Sequence, residues 1–142
     1  MIRSVSIGEE IVITTTNKVG LLADIALVLS NEGVNIEAVE GYEVGKTAKL
    51  MLITDANLRV VSELKKGKYK QVKEVEVLLV ELENKPGTLK VVTTELKEAG
   101  IDITDMYLTS TVGRGSSRMV LQTSDNENAM AVLSKYIEHA AE

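Results

Sequence analysis

The sequence predicts an α+β fold built from two copies of one unit, strand–helix–strand–strand–helix–strand. Three observations predict it. The first is an internal repeat. Setting Gly20 on Gly87, an offset of 67 residues, aligns Val5 with Val72, Asn17 with Asn84, Lys18 with Lys85, Leu22 with Leu89, Leu29 with Leu96, Gly33 with Gly100 and Ile36 with Ile103, without gaps. The second is a change of apolar period within each copy, from alternation to helical spacing and back. The third is punctuation: Asn17-Lys18-Val19-Gly20 and Asn84-Lys85-Pro86-Gly87 precede the first helix of each copy, and Gly33 and Gly100 follow it.

In the first copy, residues 3–16 read as extended. Val5 and Ile7 alternate with polar residues, Gly8-Glu9-Glu10 interrupts, and Ile11, Val12 and Ile13 form a β-branched apolar core. Residues 21–32 read as a helix with Leu22, Ile25, Ala26 and Leu29 on its apolar face. Residues 34–44 form a strand whose alternation slips near Ala38, which predicts a bulge. Residues 48–54 return as a strand. Asp55 is the expected N-cap of a second helix carrying Leu58, Val61 and Leu64. Residues 69–82 are one long extended segment that closes the first copy and opens the second.

The second copy repeats the order. Its first helix places Leu89, Val92, Leu96 and Ala99 on one face. Residues 101–111 form a strand with a similar slip, residues 113–117 a Gly/Ser loop flanked by Arg114 and Arg118, and residues 119–123 the return strand. Ser124 and Glu127 match a capping box ahead of a helix bearing Ala129, Met130, Leu133 and Ile137. Two helices on one face of a four-stranded antiparallel sheet satisfy this order, giving two ferredoxin-like βαββαβ units in tandem, residues 1–74 and 75–142. The second unit lacks a last strand of its own. Residues 2–7 align with the closing strand of the first unit and are expected to supply it.

Composition narrows the function. With 44% apolar and 26% charged residues the chain reads as globular. No apolar run reaches the roughly 18 residues that span a bilayer, and the N-terminus lacks the apolar core of a signal peptide, so the cytoplasm is the expected compartment and no membrane partner is expected. There is no Cys, hence no disulfide, thiolate metal site or Cys nucleophile. A net charge of −5 and 3% aromatics, all Tyr, argue against nucleic acid and against an RNA-binding sheet of the RRM type. Sheets of this kind do carry small hydrolases such as acylphosphatases. Here the single His, His139, reads as a tail residue, and no base–nucleophile pair is evident, so no enzyme activity, metal or cofactor is expected.

The turns carry the positive signal. Each opens onto a helix N-terminus, where backbone N–H groups lack intrahelical partners and the dipole favours an anion. Gly20 and Gly87 allow close backbone approach, and Asn17 and Asn84 bring side-chain donors and acceptors. Simple turn chemistry explains the same residues without a ligand. Lys18 and Lys85 read first as solvated charges.

These residues resemble an ACT domain, twice over and across nearly the whole chain. The resemblance rests on Asn84-Lys85-Pro86-Gly87-x-Leu89 with Glu98-Ala99-Gly100-Ile101-Asp102-Ile103, and on Asn17-Lys18-Val19-Gly20-Leu21-Leu22 with Glu32-Gly33-Val34-Asn35-Ile36. Val19 departs from the pattern, standing where Pro is usual. The resemblance implies an allosteric regulatory protein that binds a small molecule, most often an amino acid, and acts on a partner enzyme of amino-acid metabolism. It implies sites formed by Asn17, Lys18, Val19, Gly20 and Leu21 with Asp102 and Ile103, and by Asn84, Lys85, Pro86, Gly87, Thr88 and Leu89 with Asn35 and Ile36. Asp102 faces a ligand ammonium better than Asn35 does, so the two sites should be unequal. The alternative reading is a structural pairing module without a ligand. A homodimer is expected in either case, because residues 50–53 and 77–82 are apolar on both faces and the helices cover only one.

Overall fold

The computed structural model describes residues 1–110 and 115–137. The element order is β1 (Ile2–Thr16), α1 (Leu21–Asn31), β2 (Ile36–Val44), β3 (Thr47–Thr54), α2 (Asn57–Lys66), β4 (Gln71–Glu83), α3 (Thr88–Glu98), β5 (Ile103–Ser110), β6 (Ser116–Thr123) and α4 (Asn126–Ser134). The fold is α+β. The hydrogen-bonded strand order is β2-β3-β1-β4-β6-β5. This corrects the expectation of two separate four-stranded sheets. The expected break at Gly8-Glu9-Glu10 does not occur: β1 runs unbroken for 15 residues and β4 for 13. At Gly8 a Cβ would stand 2.7 Å from Leu79 Cδ1, so the absence of a side chain keeps the strand continuous there.

Two compact units divide the chain: Glu9–Val75, and Met1–Gly8 together with the residues from Glu76 onward. In the first, β1 pairs antiparallel with β3 from Ile11↔Leu52 to Thr16↔Thr47, and β2 pairs with β3. The β2 register shifts between Ile36 and Ala38, where the alternation slips. Ile11, Ile13, Leu50 and Leu52 turn one sheet face toward Leu21, Ile25 and Leu29 of α1 and Val60 and Leu64 of α2. Leu22 and Leu58 are exposed instead of buried. Spacing by four from Leu21 gives Ile25 and Leu29 as readily as the pattern begun at Leu22, and the packed face is the former. Asp55 does not cap α2. Its Oδ1 accepts from the Asn35 N–H at 3.0 Å, while Asn57 Oδ1 accepts from Thr54 N and Oγ1.

In the second unit, β4 pairs with β6 from Leu78↔Leu121 to Glu83↔Ser116, and β5 pairs with β6 with a shift between Ile103 and Asp105. Its core joins Leu78, Val80, Leu82, Met119 and Leu121 to Val92 and Leu96 of α3 and Ala129 and Leu133 of α4. Ile2 is fully buried in the same core and bridges Ile137, and the Glu83 N–H donates to the Met1 carbonyl at 2.8 Å. Leu89 and Ala99 of the expected α3 face are exposed. The expected capping box at Ser124 is replaced. Ser124 Oγ accepts from the Asp102 N–H, and the Asp125 carboxylate caps α4 through the Asn128 N–H. Arg118 lies within β6 opposite Glu81. Arg114 and His139 lie outside the described residues.

On the second faces of the strands, Val12, Met51, Ile53, Val77 and Val120 are buried within the chain. Among the described residues no helix is long and apolar enough to cross a membrane.

Candidate functional site

The first turn follows directly from β1. Asn17 N–H donates to Lys46 O at 2.8 Å, which anchors the turn to the β2–β3 hairpin. Gly20 then takes φ 88°, a left-handed conformation that glycine adopts without a Cβ clash, and α1 starts at Leu21. Leu21 N–H bonds to Lys18 O at 3.2 Å and Asp24 N–H to Gly20 O at 2.9 Å. The next N–H groups, of Leu22 and Ala23, have no acceptor within a helix that begins at Leu21. Val19 is fully exposed at the tip. A groove of about 410 Å³ runs beside the turn, between Asn17, Gly20 and Leu22 on one side and Gly41, Tyr42 and Glu43 on the other.

The side chains of this turn have internal partners. Asn17 Nδ2 donates to the Glu43 carboxylate. Lys18 Nζ stands 2.9 Å from Asp24 Oδ2, with Lys68 on the same carboxylate at 3.6 Å. The hydrogen bond and charge of Asp24 raise the Lys18 pKa above its ordinary value, and Lys18 in turn lowers that of Asp24.

The second turn is built alike. Gly87 takes φ 90° and α3 starts at Thr88. Asn84 N–H donates to Gly115 O at 2.8 Å, and Thr88 N–H to Lys85 O at 3.4 Å. Lys85 Nζ lies 2.8 Å from Glu83 Oε2, and this pairing lowers the Glu83 pKa. Two features set this turn apart. Thr88, standing where the first unit has Leu21, is buried, and its Oγ1 has no hydrogen-bond partner among the described residues. Met1 Cε lies near Gly87, 3.9 Å from where a Cβ would project.

The other predicted site residues fall at the far ends of their own units. Asn35 and Ile36 open β2, and Ile36 pairs with Thr54, whereas Thr16, next to Asn17, pairs with Thr47. The length of β3 therefore separates Asn17 from Asn35, roughly 20 Å at strand rise. Asp102 and Ile103 stand likewise at the Thr123–Ser124 end of β6, away from Glu83 and Ser116. No single unit brings a turn and a β-strand start together.

No family model matches the sequence, and no curated protein matches it. Solved structures do. A crystal structure of a Bacteroides thetaiotaomicron protein superposes with a TM-score of 0.85 at 24% identity, covering 92% of this chain and 89% of that one. The ligand-free regulatory subunit of aspartate kinase from Thermus thermophilus gives 0.65 at 13% identity, covering 96% and 99%. A structure of aspartokinase alpha and beta subunits gives 0.62 at 16%, covering 95% and 97%. The chain shares their fold. At these identities the likeness fixes architecture and leaves side-chain chemistry to the residues themselves.

Three residues at the turns escaped the sequence reading. Glu43 holds the Asn17 amide, Glu83 holds Lys85, and Met1 flanks Gly87. Glu83 precedes Asn84 directly, so its charge two residues from Lys85 is the one local signal for that pair. Glu43 and Met1 arrive from remote sequence and carried no local signal. Among the described residues no group of three or more His, Asp or Glu side chains could hold a metal.

Proposed function

We propose that the chain is a non-catalytic regulatory protein that binds a small carboxylate ligand, an amino acid by preference, at its two strand–helix turns and passes the signal to a partner enzyme. The observation that carries this reading is the repeated corner: a left-handed glycine at φ 88° and again at φ 90°, each leading straight into a helix whose N-terminus has no side-chain cap. The unpartnered Thr88 hydroxyl adds a hydrogen-bonding group at the second corner. The ammonium of an amino acid requires acceptors, and Asp102 and Asn35 are the residues proposed to provide them, each for the turn of the other copy. The shared fold with regulatory subunits of aspartate kinase supports seeking the partner among enzymes of amino-acid metabolism. A homodimer is part of the proposal.

The reading without a ligand draws on a specific observation as well. Asn17, Lys18 and Lys85 already have internal partners, so these side chains need no guest. A thermal-shift panel of the twenty amino acids separates the two. Ligand at about 100 times its Kd adds about 2.7 kcal/mol, several degrees for a chain of this size. Where a shift occurs, Asn84→Ala and Asp102→Ala should each diminish it. A flat panel leaves only the pairing module.

A further inference from the structure

A second recess lies on the helical side of the Glu9–Val75 unit, between α1 and α2. It has a volume of about 410 Å³, within the range of small-molecule sites. Leu27 and Val28 of α1 and Leu64 of α2 form its apolar wall, and Asp24, Lys68 and Tyr69 stand at its polar end. Tyr69 is 5% exposed, and its hydroxyl has no hydrogen-bond partner among the described residues. A buried hydroxyl without a partner is costly, and native structures seldom keep one without a use. Burial and the nearby Asp24 charge raise the Tyr69 pKa, so the hydroxyl stays protonated and available as a donor.

The charges beside it are unbalanced. Lys18 and Lys68 both lean on the one Asp24 carboxylate, at 2.9 and 3.6 Å, and Lys68 also lies 5.8 Å from the Tyr69 ring centre. Glu63, on the recess wall, is matched by Lys66 at 3.1 Å. The local sum is one excess positive charge next to one free donor, at the end of an aliphatic wall. Tyr136, the repeat mate of Tyr69 in the other unit, has Glu95 of α3 beside its hydroxyl, which raises its pKa.

We infer that the recess between α1 and α2 binds a small carboxylate with an aliphatic body and no ammonium, its chain along Leu27, Val28 and Leu64 and its carboxylate shared by the Tyr69 hydroxyl and the Lys68 ammonium. Asp24 joins this recess to Lys18 of the first turn, but the ligand class differs from an amino acid by the missing positive charge, for which the recess has no unmatched acceptor.

Hexanoate, titrated calorimetrically into the full chain, tests it. Saturable binding is expected, with hexylamine failing to bind. Tyr69→Phe removes only the hydroxyl. It should weaken hexanoate about tenfold or more, the worth of a hydrogen bond to a charged group, while the ligand-free variant melts no lower than the parent, because an unmet buried donor has gone. Leu27→Glu, at a position 61% exposed, should abolish binding without unfolding the chain by setting a carboxylate against the ligand. Absence of hexanoate binding overturns the proposal. So does binding unchanged by both substitutions, or a Tyr69→Phe variant that melts lower, which would show the hydroxyl to be structurally engaged. Neither substitution should alter any amino-acid shift from the panel above, so failure here is distinguishable from failure at the turns.

Discussion

The Lys18 ammonium stands 2.9 Å from the Asp24 carboxylate, one helical turn into α1. Its repeat mate, Lys85, makes the matching contact to Glu83 on the strand side, at 2.8 Å. The repeated lysine is therefore held by a different element in each copy. Both pairs are substantially solvent-exposed, so neither contributes much to stability. Lys18→Met and Lys85→Met should leave the affinity for an amino acid within about twofold, since exposed pairs of this kind are weak and the ammonium groups are already engaged. Titration calorimetry on each variant checks this. A loss of an order of magnitude would mean that the lysine leaves its carboxylate to hold the ligand. The sign of the acid dependence follows from Asp24. Its folded pKa lies below the ordinary 3.8, so its contribution is present above pH 3.8 and is lost as pH falls through the lowered value. Lys18→Met should flatten that part of the acid limb.

Gly20 and Gly87 sit at φ 88° and 90°. Nothing lies within 4 Å of a Cβ at Gly20, and only Met1 Cε comes that near at Gly87. Alanine at either position thus meets backbone strain without a clash. Each substitution should destabilise the chain by about 1–2 kcal/mol, read from urea melts, because a left-handed non-glycine residue carries that order of strain. A neutral Gly20→Ala would mean that the turn relaxes to negative φ, and with it the geometry proposed to cradle an anion.

Asn57 and Asn126 tie the ends of β3 and β6 to the helices that follow. Each Oδ1 accepts from a Thr backbone N–H at 3.0 Å and from the same Thr hydroxyl at 2.7 Å. Each Nδ2 donates to a backbone carbonyl, of Glu9 and of Glu76. Asn57→Ala and Asn126→Ala should each cost about 2 kcal/mol, several hydrogen bonds being lost around a partly buried threonine. Asn57→Asp, which keeps only the acceptor, should cost less.

The role of that pair has no signature in the local sequence. The local cue for a helix start is a Ser, Thr or Asp before an apolar run, and it selected Asp55 and Ser124. The structure uses both residues at strand starts instead, against Asn35 and Asp102. Cues at the turns read better, because a left-handed glycine, a following helix and a closing glycine are all local. The bulges at Ala38 and Asp105 were legible for the same reason. Leu22 and Leu89 were misplaced because two adjacent apolar residues fit a helical period equally well in either phase. The partners of Asn17 and Gly87 were invisible, since Glu43 and Met1 reach them only through hairpin geometry and β1 pairing.

Ile2 is fully buried in one core with Leu78, Val80 and Leu133. Ile2→Ala should destabilise the chain by about 2–4 kcal/mol, the range for truncating a buried isoleucine. Hydrogen exchange should locate the effect: amides of β4 and β6 in the Glu76-onward unit lose protection while those of α1 keep theirs. Uniform loss in both units would mean that they unfold as one.

The Glu9 carboxyl lies near enough to that of Glu74 for one of them, once protonated, to donate to the other. That bond, followed by burial, raises the Glu74 pKa above its ordinary 4.5. The native state therefore holds a proton that the unfolded chain releases at lower pH. Stability falls as pH rises from 4.5 through the raised folded value, and at neutral pH the two carboxylates oppose each other. Glu74→Gln supplies a permanent N–H donor in place of that proton. It should raise the melting temperature at neutral pH, and its advantage should shrink as the pH approaches 4.5, where the parent regains its own donor. Melting curves across that interval decide the matter. An advantage that does not vary with pH would assign the gain to charge removal in general and not to the shared proton.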